Sequence, residues 1–441
     1  MSLIELTATQ AAQKIRDGEI TSEKLVQACL DRIEQIDGEI QAWAHLKPEY
    51  ALEQARTLDA RRQAGGPIGP LHGVPVGIKD IINTRSLPTE NGTVLDQGRQ
   101  PREDSRVVTL LKEAGAVIMG KTVTTELAVF APGKTRNPHN PAHTPGGSSS
   151  GSCAAVAAYM VPLAIGTQTN GSILRPASYC GIYGFKPTHG LIPRTGVLSA
   201  SSPLDTIGTF ARCLEDIALL SEALIASDPG DRYTRARARP ALCDVLATEP
   251  PMPPVIAFAR TAVWDQADET TQEAFEELVE ALGDDCNDLP LSEPFDHLID
   301  MHRNIMYADL AKNYASYYEN GKDQLSDTLC GMIEFGQKVS AVDYNTAIDG
   351  QDLLNSGLDM VFDHFDIIIT PATTGEAPEG LESTGSPVFN SLATYCGTPA
   401  ITLPMMEGPN GLPLGVQVIG PRNDDARLLR NANWLMKRVL G

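Results

Sequence analysis

Three short stretches hold residue types at spacings that could carry chemistry. In GTQTNGSILRPASYCG, residues 166–181, Ser172 follows Thr-Asn-Gly, and nothing ionisable precedes Arg175. Small side chains there would let the backbone come close to a substrate, which suits a nucleophilic serine. Such a serine must hand its proton to a base, and no histidine lies nearer in sequence than His189 on one side or His143 on the other. In GSSSG, residues 147–151, Ser149 occupies the centre of a G-x-S-x-G nucleophile elbow. In GAVIMGKT, residues 115–122, the chain satisfies G-x-x-x-x-G-K-S/T, the pattern of a phosphate-binding loop.

The surrounding elements decide between these readings. A nucleophile elbow needs a strand directly before it, and RNPHNPAHTPG cannot be a strand interior, with Asp363 and His364 only a weak pair of partners. That stretch reads instead as a Gly/Ser loop capping a helix. The four variable residues of the phosphate-loop pattern are Ala-Val-Ile-Met, apolar and preceded by a helix that ends at Gly115. They predict a buried strand followed by a turn at Gly120-Lys121, and nucleotide binding is a false match.

Thr7-Ala-Thr-Gln10 is a capping box that opens AAQKIRDG; TSEKLVQACLDRIEQID and PEYALEQARTLDARRQAGG follow as helices, the latter stopping at Gly65. VPVGIKDII, residues 74–82, is β-rich; SRVVTLLKEAG reads as a helix, AVIMG as a strand and TTELAVF as the start of another helix. An Ala-rich helix after the loop at 146–152 and the strand VPLAIGTQT extend this alternation to about residue 225, the signature of an α/β sheet with helices on its faces. Residues 226–254 are polar and proline-rich, and 265–360 are mostly helical. FDIIIT, PAITLP and GLPLGVQVIG restore β character, so the C-terminal part rejoins the first sheet.

Composition narrows the function classes. The 441 residues are 42% hydrophobic and 21% charged, ordinary for a soluble globular protein, and the formal net charge of -21 argues against nucleic acid or an anionic membrane as partner. The N-terminus has no basic region followed by an apolar core, and the longest nearly apolar run, CAAVAAYMVPLAIG, is too short to span a bilayer. The expected location is the cytoplasm. Eight scattered cysteines form no CxxC pair or metal cluster and read as reduced core residues, with Cys180 and Cys396 the candidates for a reactive thiol.

The run GGSSSGSCAAVAAYMVPLAIGTQTNGSILRPASYCGIYGFKPT, with HGVPVGIKD, AGAVIMGKT, SPLDTIGTFAR, NSLATYCGTPAITLP and GLPLGVQVIG, resembles the amidase signature family over nearly the whole chain, most weakly across 226–360. The resemblance implies one amidase domain, 1–441: N-terminal helices (1–65), a catalytic core (66–225), an inserted mainly helical region (226–360) and a C-terminal part (361–441) rejoining the core sheet. The implied fold is a mixed, largely parallel β-sheet core covered by α-helices on both faces. It also implies amide hydrolysis by a Ser, cis-Ser, Lys triad through an acyl-enzyme. Ser172 matches the nucleophile, Ser148 the bridging serine on a cis peptide, and Lys79 the base. Backbone N–H groups of Thr169, Asn170, Gly171 and Ser172 would hold the oxyanion, Gly147 would give the bridging serine its room, and Asp205 matches a position near the triad. The family needs no metal or cofactor and suggests a homodimer. Lys79 can act as base only if burial holds it neutral, and along a strand Asp80 points to the opposite face, away from it.

Three positions depart from the family pattern. Gln168 stands where Asp is usual, Asn170 where Gly is usual, and Leu174 where Arg is usual, the arginine falling one place later at Arg175. Leucine in place of a carboxylate-binding arginine favours small neutral amides, with anilides, esters and carbamates as related substrates, over acidic ones. The same departures count against a transfer-RNA-dependent amidotransferase subunit, which would act with partner chains.

Overall fold

The computed structural model describes residues 2–291 and 293–441. The N-terminal helices α1 (Ala8–Asp17), α2 (Ser22–Ile40) and α3 (Pro48–Gln63) surround the short strand β1 (Trp43–Leu46). Thr7 caps α1 as expected: its hydroxyl accepts from Gln10 N while Gln10 returns the bond to Thr7 N. The alternating core follows: β2 (Pro75–Lys79), α4 (Arg106–Glu113), β3 (Val117–Thr122), α5 (Ser150–Ala157), β4 (Leu163–Gln168), α6 (Leu174–Tyr179), β5 (Tyr183–Lys186), β6 (Thr206–Ala211) and α7 (Leu214–Leu224). The region expected as a helical insert carries α8 (Leu242–Leu246), α9 (Glu269–Leu282), α10 (Leu298–Asn313), α11 (Ala315–Gly321), α12 (Asp327–Gly336) and α13 (Ala341–Phe362), and also two strands, β7 (Ile256–Ala259) and β8 (Cys286–Leu289). β9 (Ile367–Pro371), α14 (Ser391–Tyr395), β10 (Ala400–Glu407), β11 (Pro413–Ile419) and α15 (Asp425–Leu440) complete the chain.

Among the described residues eleven strands join one mixed sheet in the order β1-β3-β2-β4-β6-β5-β10-β11-β9-β7-β8. Parallel pairing forms two blocks, around β2 and around β7, where a helix links the paired strands; antiparallel pairs fill the middle of the sheet. Both faces are covered, which explains why these strands read as unbroken apolar runs rather than as alternating ones. Ile118 packs into the cluster that holds α4, α7 and α15, while its neighbours Val117 and Met119 pack among α2, α3 and α5. Near the other edge Ile367 and Ile369 face the first cluster, and Ile368 faces α10, α12 and α13.

Two local expectations are corrected. TTELAVF forms a single 3-10 turn, Glu126–Ala128, with Leu127 and Ala128 at positive φ. Tertiary bonds override its helical periodicity: Leu127 N donates to Asn91 O, and Thr125 N to Ser148 O. Gly120 and Lys121 do not turn. They continue β3, and Lys121 is a fully buried lysine whose ammonium donates to Ile82 O at 2.7 Å and Thr89 Oγ1 at 2.6 Å and faces Asp80 Oδ1 at 3.2 Å. Removing one partner of a buried ion pair leaves the other charge uncompensated, at a cost of about 3–5 kcal/mol. Lys121→Ala is therefore expected to lower the midpoint of equilibrium urea unfolding markedly, and an unchanged midpoint would show the pair to be dispensable.

Candidate active site

The site lies beyond the C-terminal ends of the parallel strands β2 and β4, where the connections leaving adjacent strands diverge and a cleft opens. Lys79 is the last residue of β2. The register that pairs Ile78 with Ile165 sets it beside the end of β4. Its amine lies 2.6 Å from Ser148 Oγ, 2.9 Å from Thr167 Oγ1 and 3.5 Å from Thr167 O. No carboxylate oxygen lies within ion-pairing distance among the described residues, because Asp80 turns to the other face and meets Lys121. Burial of the unpaired amine draws its pKa down from 10.5 to about 7.

Ser148 starts the turn before α5, and the Gly147–Ser148 peptide is cis. Gly147 has no room for a side chain: a Cβ would meet the methyl groups of Thr125 and Thr384 at 2.9 Å each. Arg175, buried at the start of α6, reaches back to this turn. Its guanidinium donates to Gly147 O and to Gly385 O, each at 2.6 Å. Arg175 thus supports the loop that carries Ser148, and its two outer nitrogens are occupied by backbone. Leu174 beside it packs into the apolar cluster under α10.

Ser172 lies in the loop joining β4 to α6. Exposure rises along the series, from 0% at Lys79 and 1% at Ser148 to 9% at Ser172. A Cβ on Gly171 would meet Asn390 Oδ1 at 2.4 Å, so the close approach there requires glycine. The amide N–H groups of Thr169, Asn170, Gly171 and Ser172 donate to no acceptor among the described residues. Asp205 holds the loop from one side, accepting from Thr169 Oγ1 at 2.6 Å, from Ser199 Oγ at 3.1 Å and from the amides of Ala200 and Ser201 at 3.0 Å each. Burial raises its pKa to about 6. Gln168 accepts from the amides of Ile173 and Leu174 at 2.7 and 3.0 Å and donates to Thr394 Oγ1 at 2.8 Å.

The neighbouring histidines are engaged elsewhere. His143 Nδ1 donates to Ala377 O at 2.7 Å; His189 is half-buried against Arg194 and Tyr233, and desolvation with the nearby Arg194 charge draws its pKa down to about 3. Ser149 Oγ donates to Thr167 O at 3.2 Å with no strand leading into it, and Asp363 and His364 are exposed. Cys180 and Cys396 are buried, which pushes both thiols up and makes the thiolate inaccessible near neutral pH. Thr167, His302 and Thr394 touch the site without having been singled out in the sequence. Thr167 stands in the polar run just before Ser172, whereas His302 and Thr394 come near the site only through the tertiary fold.

The family model described as Amidase matches residues 24–429. The chain belongs to the amidase family. It is 44% identical over 266 residues to a glutamyl-tRNA(Gln) amidotransferase subunit of Thermobifida fusca, a stretch covering 59% of this chain and 51% of that one. It is 32% identical to the corresponding protein of Streptomyces coelicolor over 483 aligned positions, covering 97% of this chain and 95% of the relative. Among solved structures, the peptide amidase of Stenotrophomonas maltophilia superposes with a TM-score of 0.84 at 28% identity, covering 99% of this chain and 97% of that one. The mixed α/β amidase fold expected from the sequence is thus the fold observed, except that the sheet is not largely parallel: six of its strand pairs are antiparallel and four parallel among the described residues.

The buried amine has a consequence for stability. Unfolded Lys79 keeps its proton up to about pH 10.5, whereas the folded amine loses it near 7, so between these values the unfolded state binds more protons and stability rises with pH. Lys79→Met lacks this linkage. The stability difference between parent and variant should move in the parent's favour from pH 7 to 10 in urea unfolding, and a pH-independent difference would mean that the folded amine is charged.

Proposed function

We propose that this amidase hydrolyses the C–N bond of a small neutral amide, with Ser172 as nucleophile, Ser148 as proton bridge and Lys79 as base. The observation that carries the reading is the unpaired, buried Lys79 amine 2.6 Å from Ser148 Oγ. A neutral amine has two N–H donors and one lone pair. Thr167 Oγ1 and Thr167 O can take the donors, which leaves the lone pair for the Ser148 hydroxyl.

As Ser172 Oγ attacks the carbonyl carbon, its proton passes to Ser148 Oγ and the Ser148 proton passes to Lys79, which becomes an ammonium. The oxyanion is held by the unengaged N–H groups of the loop from Thr169 to Ser172. Collapse of the tetrahedral adduct breaks the C–N bond while Lys79 returns its proton through Ser148 to the leaving nitrogen. Water then attacks the ester on Ser172, its proton taking the same route, and the acid leaves as Ser172 regains its hydrogen.

A cavity of about 160 Å³ opens beside Thr167 and Thr169, walled by Ile81, Ala128, Val197 and Leu198. Among the described residues the one cation on its wall, Arg194, is held by both oxygens of Asp231 at 2.9 Å. A lining that mixes these apolar side chains with the hydroxyls of Thr167, Thr195, Ser199 and Ser202, and that offers no free cation among the described residues, supports a neutral substrate, anilides and carbamates included. A second reading, an amidotransferase-type subunit that acts with partner chains, is favoured by the names of the similar proteins. Assaying the isolated chain on aryl amides, aliphatic amides and carbamates separates the two, since a protein dependent on partner chains would turn over none of them.

Ser172→Ala and Lys79→Ala are each expected to lose roughly a thousandfold or more in kcat, while His143→Ala and His189→Ala retain the triad chemistry. An active Lys79→Ala enzyme beside a chemically dead histidine variant would reassign the base. Because the base must be neutral, kcat/KM should fall about tenfold per pH unit below pH 7 and level off above it, in a pH–rate profile of the parent.

A further inference from the structure

A trans peptide group is planar, so its C=O and the N–H that follows point in opposite directions. Holding the carbonyl therefore aims the amide. Three successive peptide groups precede Ser172, and each carbonyl is held from the side away from the free amides. Thr169 O accepts from His302 Nε2 at 2.9 Å, Asn170 O from Thr394 Oγ1 at 2.5 Å, and Gly171 O from the amide of Arg175 at 3.0 Å. The corresponding N–H groups, of Asn170, Gly171 and Ser172, donate to no protein acceptor among the described residues. The third anchor is an ordinary helix bond of α6. The other two are side chains delivered from distant segments, His302 by α10 and Thr394 by α14.

Both anchors are themselves fixed. His302, Asp309 and Asn313 share one face of α10, and the latter two grip the neighbouring loop: Ser201 Oγ donates to Asp309 Oδ2 at 2.7 Å, and Asn313 Nδ2 donates to Ala200 O at 3.0 Å. That loop in turn donates to Asp205, which holds Thr169, so α10 and the loop before Ser172 are joined in a closed ring of hydrogen bonds. The Thr394 hydroxyl accepts from Gln168 Nε2, which commits its own proton to Asn170 O.

We propose that His302 and Thr394 are positioning residues that hold the 169–170 and 170–171 peptide planes so that the Asn170 and Gly171 amides face the oxyanion. The proposal rests on the reading of Ser172 as nucleophile. Neither side chain touches the reacting atoms; each acts through a backbone carbonyl. A peptide left free to rotate would lose an oxyanion donor that matters only in the transition state, so kcat should fall while KM stays put.

The test measures kcat and KM on an aryl amide, per active site titrated with a fluorophosphonate, for His302→Leu, His302→Gln, Thr394→Val and Thr394→Ser, with Ser172→Ala alongside. Gln keeps a donor near the Nε2 position and Ser keeps the hydroxyl. His302→Leu and Thr394→Val are expected to lower kcat about tenfold to a hundredfold with KM within about twofold, and the Gln and Ser variants to recover most of it. Parent-like kcat in both the Leu and Val variants overturns the proposal. So does equal impairment in the conservative pair, which would show that shape, not the hydrogen bond, is what counts. Activity surviving in Ser172→Ala would instead overturn the nucleophile reading on which the proposal rests.

Discussion

Everything at this site depends on an amine being sealed from water without a counter-ion. A lysine in that state is expensive, and the fold meets the cost by arranging what lies around it. The strand that ends in Lys79 puts Asp80 on its other face, where the carboxylate meets Lys121, a second buried lysine. Had Lys79 and Asp80 shared a face, Lys79 would have been paired and charged, and unable to serve as the base proposed for it. The separation comes from nothing more than the two-residue period of a β-strand. The same burial that lowers the pKa of Lys79 also destabilises the folded chain, fully below about pH 7 and by less and less up to about pH 10.5, so the stability penalty and the lowered pKa are two readings of one fact.

Much of this was legible in the sequence, for reasons that can be named. The alternation of apolar runs with amphipathic segments follows from a sheet buried on both faces. The Thr7 capping box and the Gly65 stop are local chemistry, which needs no knowledge of the rest of the chain. What stayed hidden depends on contacts between distant segments. TTELAVF has helical periodicity, yet backbone bonds to Asn91 and Ser148 bend it into a single turn with two residues at positive φ. In place of the turn expected at Gly120-Lys121 the strand continues, and Lys121 is buried. Its partner Asp80 directly follows β2, and only the register of β2 with β3 brings them together. His302 carries no local signal at all, since one polar residue on a helix face looks the same whether it meets water or a carbonyl from another segment.

The departures from the family pattern also take on a different meaning. Read as sequence, Gln168, Leu174 and Arg175 bear on the substrate. In the structure Leu174 packs under α10, Arg175 spans the carbonyls of Gly147 and Gly385, and none of the three lines the cavity beside Thr167 and Thr169. The swap of leucine and arginine therefore carries no information about an acidic or neutral substrate. The case for a neutral one rests on the cavity wall, where Arg194 is already neutralised by Asp231.

Gln168 illustrates how such a departure is absorbed. Its carbonyl oxygen caps the first amides of α6, a task that an aspartate could also perform. Its amide nitrogen does something a carboxylate cannot: it donates to Thr394 Oγ1, and a hydroxyl that accepts one bond is left with its proton for Asn170 O. With a carboxylate at position 168 the Thr394 hydroxyl would be drawn to donate toward it instead, and Asn170 O would lose its anchor. Asn170 in turn fills the space a glycine would leave and is tied down by Ser391 Oγ at 2.8 Å. The two unusual residues thus belong to one arrangement, in which side chains rather than a second glycine set the orientation of the backbone before Ser172.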